Sequence, residues 1–168
     1  MIQSYAGIGS RATPPDILEA MSNLAGHLAG QPWILRSGAA HGADTAFEDG
    51  CKEMNGRREI YLPWPSYNGH HSRFVPKHQA YGIAQKYHPA WDKLTQGGQK
   101  LMARNVHIVL GVYLRDPVKF ILCWTPDGKI KGGTGMALRM AEHMEIPIIN
   151  LGSLTLEEAE QIIIKHIQ

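Results

Sequence analysis

The chain is short of the features that mark secreted, membrane or metal-dependent proteins. It has two cysteines, Cys51 and Cys123, with no CxxC and no Cys/His ligand spacing. A disulfide scaffold and a zinc finger are thereby excluded, and two buried free thiols in a reducing compartment are expected. No apolar run approaches the roughly 18 residues needed to cross a bilayer. The opening "MIQSYAGIGSR" has no charged segment followed by an apolar one, so it does not read as a secretion signal. The expectation is a cytoplasmic protein with no membrane partner.

Charge of one sign is also lacking. Lys and Arg number 17 against 15 Asp and Glu, a formal net charge of +2 with the 9 histidines neutral. That is too little to recruit nucleic acid by overall field, although a local basic patch stays open. The histidines His70, His71, His78 and His88 lack the HxxxH spacing of a helical metal pair. Neither a metal nor a cofactor is expected. No internal repeat or low-complexity tail occurs.

What the chain does have is alternation. With 168 residues and 43% hydrophobic content it can bury one core, and a single domain over 1–168 is expected. "SYAGIGS" reads as a strand ending in glycines, and "TPPDILEAMSNLAGHLAG" as an amphipathic helix with Thr13 as its N-cap. "PWILRSG", "REIYLPW", "VKFILCW" and "IPIINLG" read as further strands. Helical patterns lie between and after them, the last with Thr155 as cap and Glu157 and Glu158 in its first turn. Parallel strands need connections long enough to hold a helix. The pattern predicts an α/β, Rossmann-like, doubly wound and mostly parallel sheet of about five strands with helices on both faces. It is interrupted by an irregular insertion at about 64–90, with a short helix near Gln79–Lys86. Its aromatics, Trp64, Tyr67, Phe74 and Tyr81, can stack on a base or form a small core beneath the loop.

In such sheets ligands sit at the carboxyl ends of the strands, where strand order reverses. After the first strand come Gly9, Ser10 and Arg11: close backbone approach, a hydroxyl and a bidentate cation leading into a helix N-terminus. After the long apolar strand, Gly132, Gly133, Thr134 and Gly135 open another helix, with Lys129 and Lys131 upstream. Either turn can equally be a plain strand-to-helix link, but two anion-binding termini would make a two-sided cleft. In "LRSGAAHGADTAFEDG", Asp44 and Glu48 are four apart and share a helix face. They are candidate catalytic carboxylates, or simply partners of the helix dipole. Arg104 and Asn105, on an otherwise apolar helix, can hold a phosphate or base, or bridge to a carbonyl.

"YAGIGSR", "LRSGAAHGADTAFEDG", "EIYLPW", "ARNVHIV" and "GGTGMALRMAEHMEIPIIN" together resemble the SLOG superfamily, the Rossmann-like domain of DprA (Smf) and the LOG phosphoribohydrolases. The resemblance runs over nearly the whole chain and is nearest to small stand-alone members from bacteria and their phages. It implies a cytoplasmic, bacterial or phage-infected setting and a nucleotide-derived ligand. It also implies ligand contacts at Gly9, Ser10, Arg11, Ser37, Gly38, Gly42, Asp44, Arg104, Asn105, Gly132, Gly133 and Thr134. LOG enzymes carry a "PGGxGTxxE" motif, and here Met136 replaces its threonine and Arg139 its glutamate. The first expectation is therefore a nucleotide binder. The alternatives are a nucleotide N-glycosidase or phosphohydrolase using Asp44 or Glu48, and a DprA-like single-stranded DNA binder. A homo-oligomer is expected, with the apolar "EEAEQIIIKHI" as one candidate surface.

Overall fold

The computed structural model describes residues 2–168. Its elements, in chain order, are β1 (Gln3–Gly9), α1 (Pro15–Ala29), β2 (Trp33–Ser37), α2 (Ala43–Glu53), β3 (Arg58–Ile60), α3 (His78–Tyr87), α4 (Gln96–Leu110), β4 (Ile121–Trp124), α5 (Gly132–His143), β5 (Ile148–Asn150) and α6 (Leu156–Ile167). All five strands are parallel, in the order β3-β2-β1-β4-β5. The chain builds outward from β1 to β3, then returns through α3 and α4 to start β4 on the other side of β1. Strand order therefore reverses between β1 and β4. Gly9 pairs with Trp124, so Ser10 and Thr125 leave the sheet side by side.

Burial of apolar strand faces from both sides produces two core layers. Met21, Ala25, Phe47, Cys51 and Ile163 cover one face from α1, α2 and α6. Ala84, Val106, Val109, Met136 and Met140 cover the other from α3, α4 and α5. The glycines of β1 serve this packing. A Cβ on Gly7 would lie 2.6 Å from the Phe47 ring, and one on Gly9 would lie 2.8 Å from Ala43 Cβ. Both cysteines are free and buried, and burial pushes the Cys123 thiol up to about 12.

Several boundaries differ from the sequence expectations. Thr13 does not cap α1: its hydroxyl donates to the Ser10 carbonyl (2.6 Å), and the helix starts after Pro14 without a side-chain cap. β3 is shorter than "REIYLPW" suggested: Tyr61 N–H still donates to the Ser37 carbonyl of β2, while on the outer edge Leu62 N–H donates to the Phe74 carbonyl of the returning loop. β4 starts at Ile121: Lys119 N–H already bonds the Ser4 carbonyl of β1, but Val118 N–H turns away to the Val109 carbonyl. The irregular insertion does contain the expected helix, α3, which buries Ala80 and Ala84. At the C-terminal end, Thr155 and Glu158 form the full reciprocal cap of α6.

Candidate ligand-binding cleft

A cleft of about 530 Å³ opens at the carboxyl ends of β1 and β4. The β1–α1 turn supplies Gly9, Ser10 and Arg11; the end of β4 supplies Thr125; and the approach to α5 supplies Lys131, Gly132, Gly133 and Thr134. Asp44 enters from α2, Arg104 and Asn105 from α4, and Tyr67 from the loop after β3.

The β1–α1 turn is held rigid by its own bonds. The Ser10 hydroxyl accepts from Ala12 N–H (3.0 Å), and the Ser10 carbonyl accepts from both Thr13 N–H (3.2 Å) and the Thr13 hydroxyl. Arg11 is exposed beyond it and makes no salt bridge among the described residues. Across the cleft, α5 begins without a side-chain cap, whereas Thr95 and Thr155 cap α4 and α6. Its first N–H groups thus lack a capping side chain. Gly132 adopts φ +70, which favours glycine. A Cβ on Gly133 would meet only Met102 Cε, at 4.0 Å, so that glycine borders open space.

The floor is a buried polar cluster. Arg104, 4% exposed, donates from Nη1 to the Gly38 carbonyl and from Nε to Asn105 Oδ1 (2.8 Å). Asn105 passes the link on, donating to the Gly133 carbonyl (3.1 Å). Arg104 and Asn105 thus bridge carbonyls of the β2–α2 loop and the start of α5, one of the two roles open to them from sequence. Burial pulls the Arg104 guanidinium below its ordinary pKa, and the Asp44 carboxylate and Tyr67 pull the other way. Asp44, 4% exposed, accepts from Ala40 N–H (3.2 Å). Its pKa is raised to about 6: burial dominates, opposed by Arg104 and by bonds from the Ala40 and Gly38 backbone, with Glu48 adding a small upward push.

Of the expected site residues, Gly9, Ser10, Arg11, Asp44, Arg104, Asn105, Gly132, Gly133 and Thr134 line the cleft together. The others stand behind it. Ser37 donates to the Gly7 carbonyl (2.6 Å), tying β2 to β1. Gly42, at φ +90, packs on the backbone of Ser10 and Arg11, and Gly135 lies against Ile130 and Arg139. Glu48 turns outward to His70 Nε2 (2.7 Å) and Arg58 Nε (3.7 Å), fastening the loop after β3 rather than lining the cleft. Thr125, Lys131 and Tyr67 line the cleft as well, the last two from the lysines upstream of the glycine loop and the aromatics of the insertion noted in the sequence. The signal for Thr125 is its position directly after a long apolar strand. Among the described residues no three His, Cys, Asp or Glu side chains group closely enough to hold a metal ion, and no helix is long and apolar enough to cross a membrane.

No protein-family model and no curated protein matches the sequence. Among solved structures, DNA processing protein A from Helicobacter pylori, described for its single-stranded DNA binding mode, superposes with a TM-score of 0.57 at 18% identity. The match covers 89% of this chain and 65% of that one. The fold is DprA-like and Rossmann-type. The chain thus spans 65% of the length of that neighbour. The molybdenum cofactor carrier protein of Chlamydomonas reinhardtii matches over 99% of this chain and 98% of its own, at 13% identity and a TM-score of 0.49.

Proposed function

We propose that the chain binds a nucleotide or nucleotide-derived ligand in the β1/β4 cleft. The observation that carries this is the uncapped N-terminus of α5, bordered by open space at Gly133 and sharing one cleft with the unpaired Arg11. A phosphate there accepts from backbone N–H groups and gains from the helix dipole, while Arg11, Lys131 and Ser10 add charge-assisted bonds. The Tyr67 ring offers a stacking face to a base, and ionised Asp44 an acceptor for a sugar hydroxyl. Isothermal titration against nucleoside mono-, di- and cyclic phosphates tests the reading. Binding by the wild type and a loss of about tenfold or more in Arg11→Ala support it; no binding by the wild type, or an unchanged Arg11→Ala, refutes it.

A hydrolytic reading rests on Asp44. A cleft carboxyl with a pKa raised to about 6 is populated in both protonation states near neutrality, as acid or base work on an N-glycosidic or phosphate bond requires. Release of free base or inorganic phosphate that disappears in Asp44→Asn would establish it. Single-stranded DNA, bound by the Helicobacter pylori neighbour, is the alternative occupant. It predicts affinity that falls steeply with salt, and a flat response rejects it. Self-association through α6, whose Leu156 and Ile164 are exposed, belongs to the same proposal and is read by sedimentation.

A further inference from the structure

We infer that Asn150 is a positioning residue for the cleft: it fixes the Thr125 hydroxyl as a hydrogen-bond donor toward a proton-free phosphate oxygen of the ligand. This rests on the ligand reading above and specifies the chemistry the β4 end will accept.

Asn150 ends β5, one strand beyond β4, and is 6% exposed. Its Oδ1 accepts from Thr125 N–H (3.2 Å) and from Gly152 N–H (2.9 Å). Two backbone donors can be satisfied only by the oxygen of the carboxamide, so its orientation follows from chemistry. Nδ2 must then face Thr125 Oγ1, to which it donates at 2.7 Å. The β5–α6 turn is pressed onto the same point, since a Cβ on Gly152 would collide with the Thr125 carbonyl.

A hydroxyl whose oxygen accepts a bond must send its own proton elsewhere. Among the described residues, Thr125 Oγ1 donates to no protein acceptor, and Thr125, though 1% exposed, is one of the residues that border the cleft. Ser10, leaving the neighbouring strand at the same level, repeats the arrangement: its Oγ accepts from Ala12 N–H and its proton remains to be given. Two hydroxyls, each with its oxygen engaged by a protein donor, therefore belong to residues that leave adjacent strands at the cleft that also holds Arg11 and the start of α5. A ligand ammonium can only donate and suits this wall poorly, and a ligand hydroxyl brings a proton of its own beside the lone pairs it offers. A phosphate, all acceptor, suits it well.

Asn150→Asp separates this from a purely structural role. The carboxylate still accepts from Thr125 and Gly152 N–H, but it cannot donate to Oγ1, so the Thr125 proton turns back toward residue 150 and lone pairs face the cleft. Thr125→Val removes the hydroxyl at constant shape, and Thr125→Ser restores it. With 5′-AMP and inorganic phosphate as probes in calorimetry, Asn150→Asp and Thr125→Val should each weaken binding about tenfold, and Thr125→Ser should bind like wild type. Asn150→Asp should have no further effect in a Thr125→Val background. Wild-type affinity in Thr125→Val, or additive losses in the double variant, overturns the inference while the ligand reading stands on Arg11→Ala. Failure of wild type to bind either probe overturns both. Should Asn150→Asp not fold, the Asn150 side-chain amide resonance decides. It should move on titration with phosphate in wild type and not in Thr125→Val, and the same response in both proteins overturns the inference.

Discussion

Gly38 and Arg104 fit so closely that no side chain can come between them. The Gly38 carbonyl accepts from Arg104 Nη1, and a Cβ on Gly38 would stand 2.6 Å from that nitrogen and 2.9 Å from Asp44 Oδ2. Gly38→Ala must therefore displace a buried guanidinium from its carbonyl. The expected cost is about 1–3 kcal/mol, seen as a lower urea midpoint at unchanged slope.

Asp44 makes stability depend on pH with a defined sign. Its folded pKa, about 6, lies above the 3.8 of an ordinary aspartate, so the folded protein holds that proton more tightly. The associated stability is full below about pH 4 and is lost as pH rises through 6, a change of roughly 3 kcal/mol. Asp44→Asn lacks this titration. Denaturant midpoints at pH 4 and pH 8 should show Asp44→Asn gaining on wild type by about that amount at the higher pH; a constant difference between the two proteins would mean that Asp44 titrates normally.

The fold was legible because its signals are local. Apolar runs such as "WILRS" and "ILCW", separated by helical spacing, suffice for a parallel sheet, and Thr155 with Glu158 announces the last helix. The edges were less legible. β3 stops where Phe74 arrives from 13 residues away, and no local pattern encodes that pairing. For the candidate cleft, Gly9 at the end of β1, Arg11 just after it and the glycines that open α5 could be singled out from their place in the strand and helix pattern. Glu48 was not separable from Asp44 by spacing: four residues put two carboxylates on one helix face, but only the path of the loop holding His70 turns one of them outward. Ser37, Gly38 and Gly42 resemble ligand contacts in sequence because close packing of loop on helix requires the same small residues as close approach of a ligand.

Tyr67 lies over Arg104, with the guanidinium 5.6 Å from the ring centroid, and lines the same cleft. Removing the ring should affect the base and spare the phosphate. Tyr67→Ala is expected to weaken a nucleoside monophosphate by about tenfold or more and leave inorganic phosphate unchanged, while Tyr67→Phe binds both like wild type. Equal losses for both probes would place Tyr67 in support of Arg104 instead.

Arg11 is exposed and unpaired among the described residues, so Arg11→Ala should keep the wild-type unfolding midpoint within about 0.5 kcal/mol. A larger drop would reveal a structural role and weaken its use as a probe of binding.

The central claim is that phosphate meets the backbone at the start of α5. Amide chemical shifts of Gly132, Gly133 and Thr134 during titration with a nucleoside monophosphate, beside the same titration with the nucleoside, test it most directly. The account predicts large, saturable shifts at these amides with the monophosphate and none with the nucleoside. Shifts confined to other parts of the chain, or equal shifts with both ligands, would contradict it.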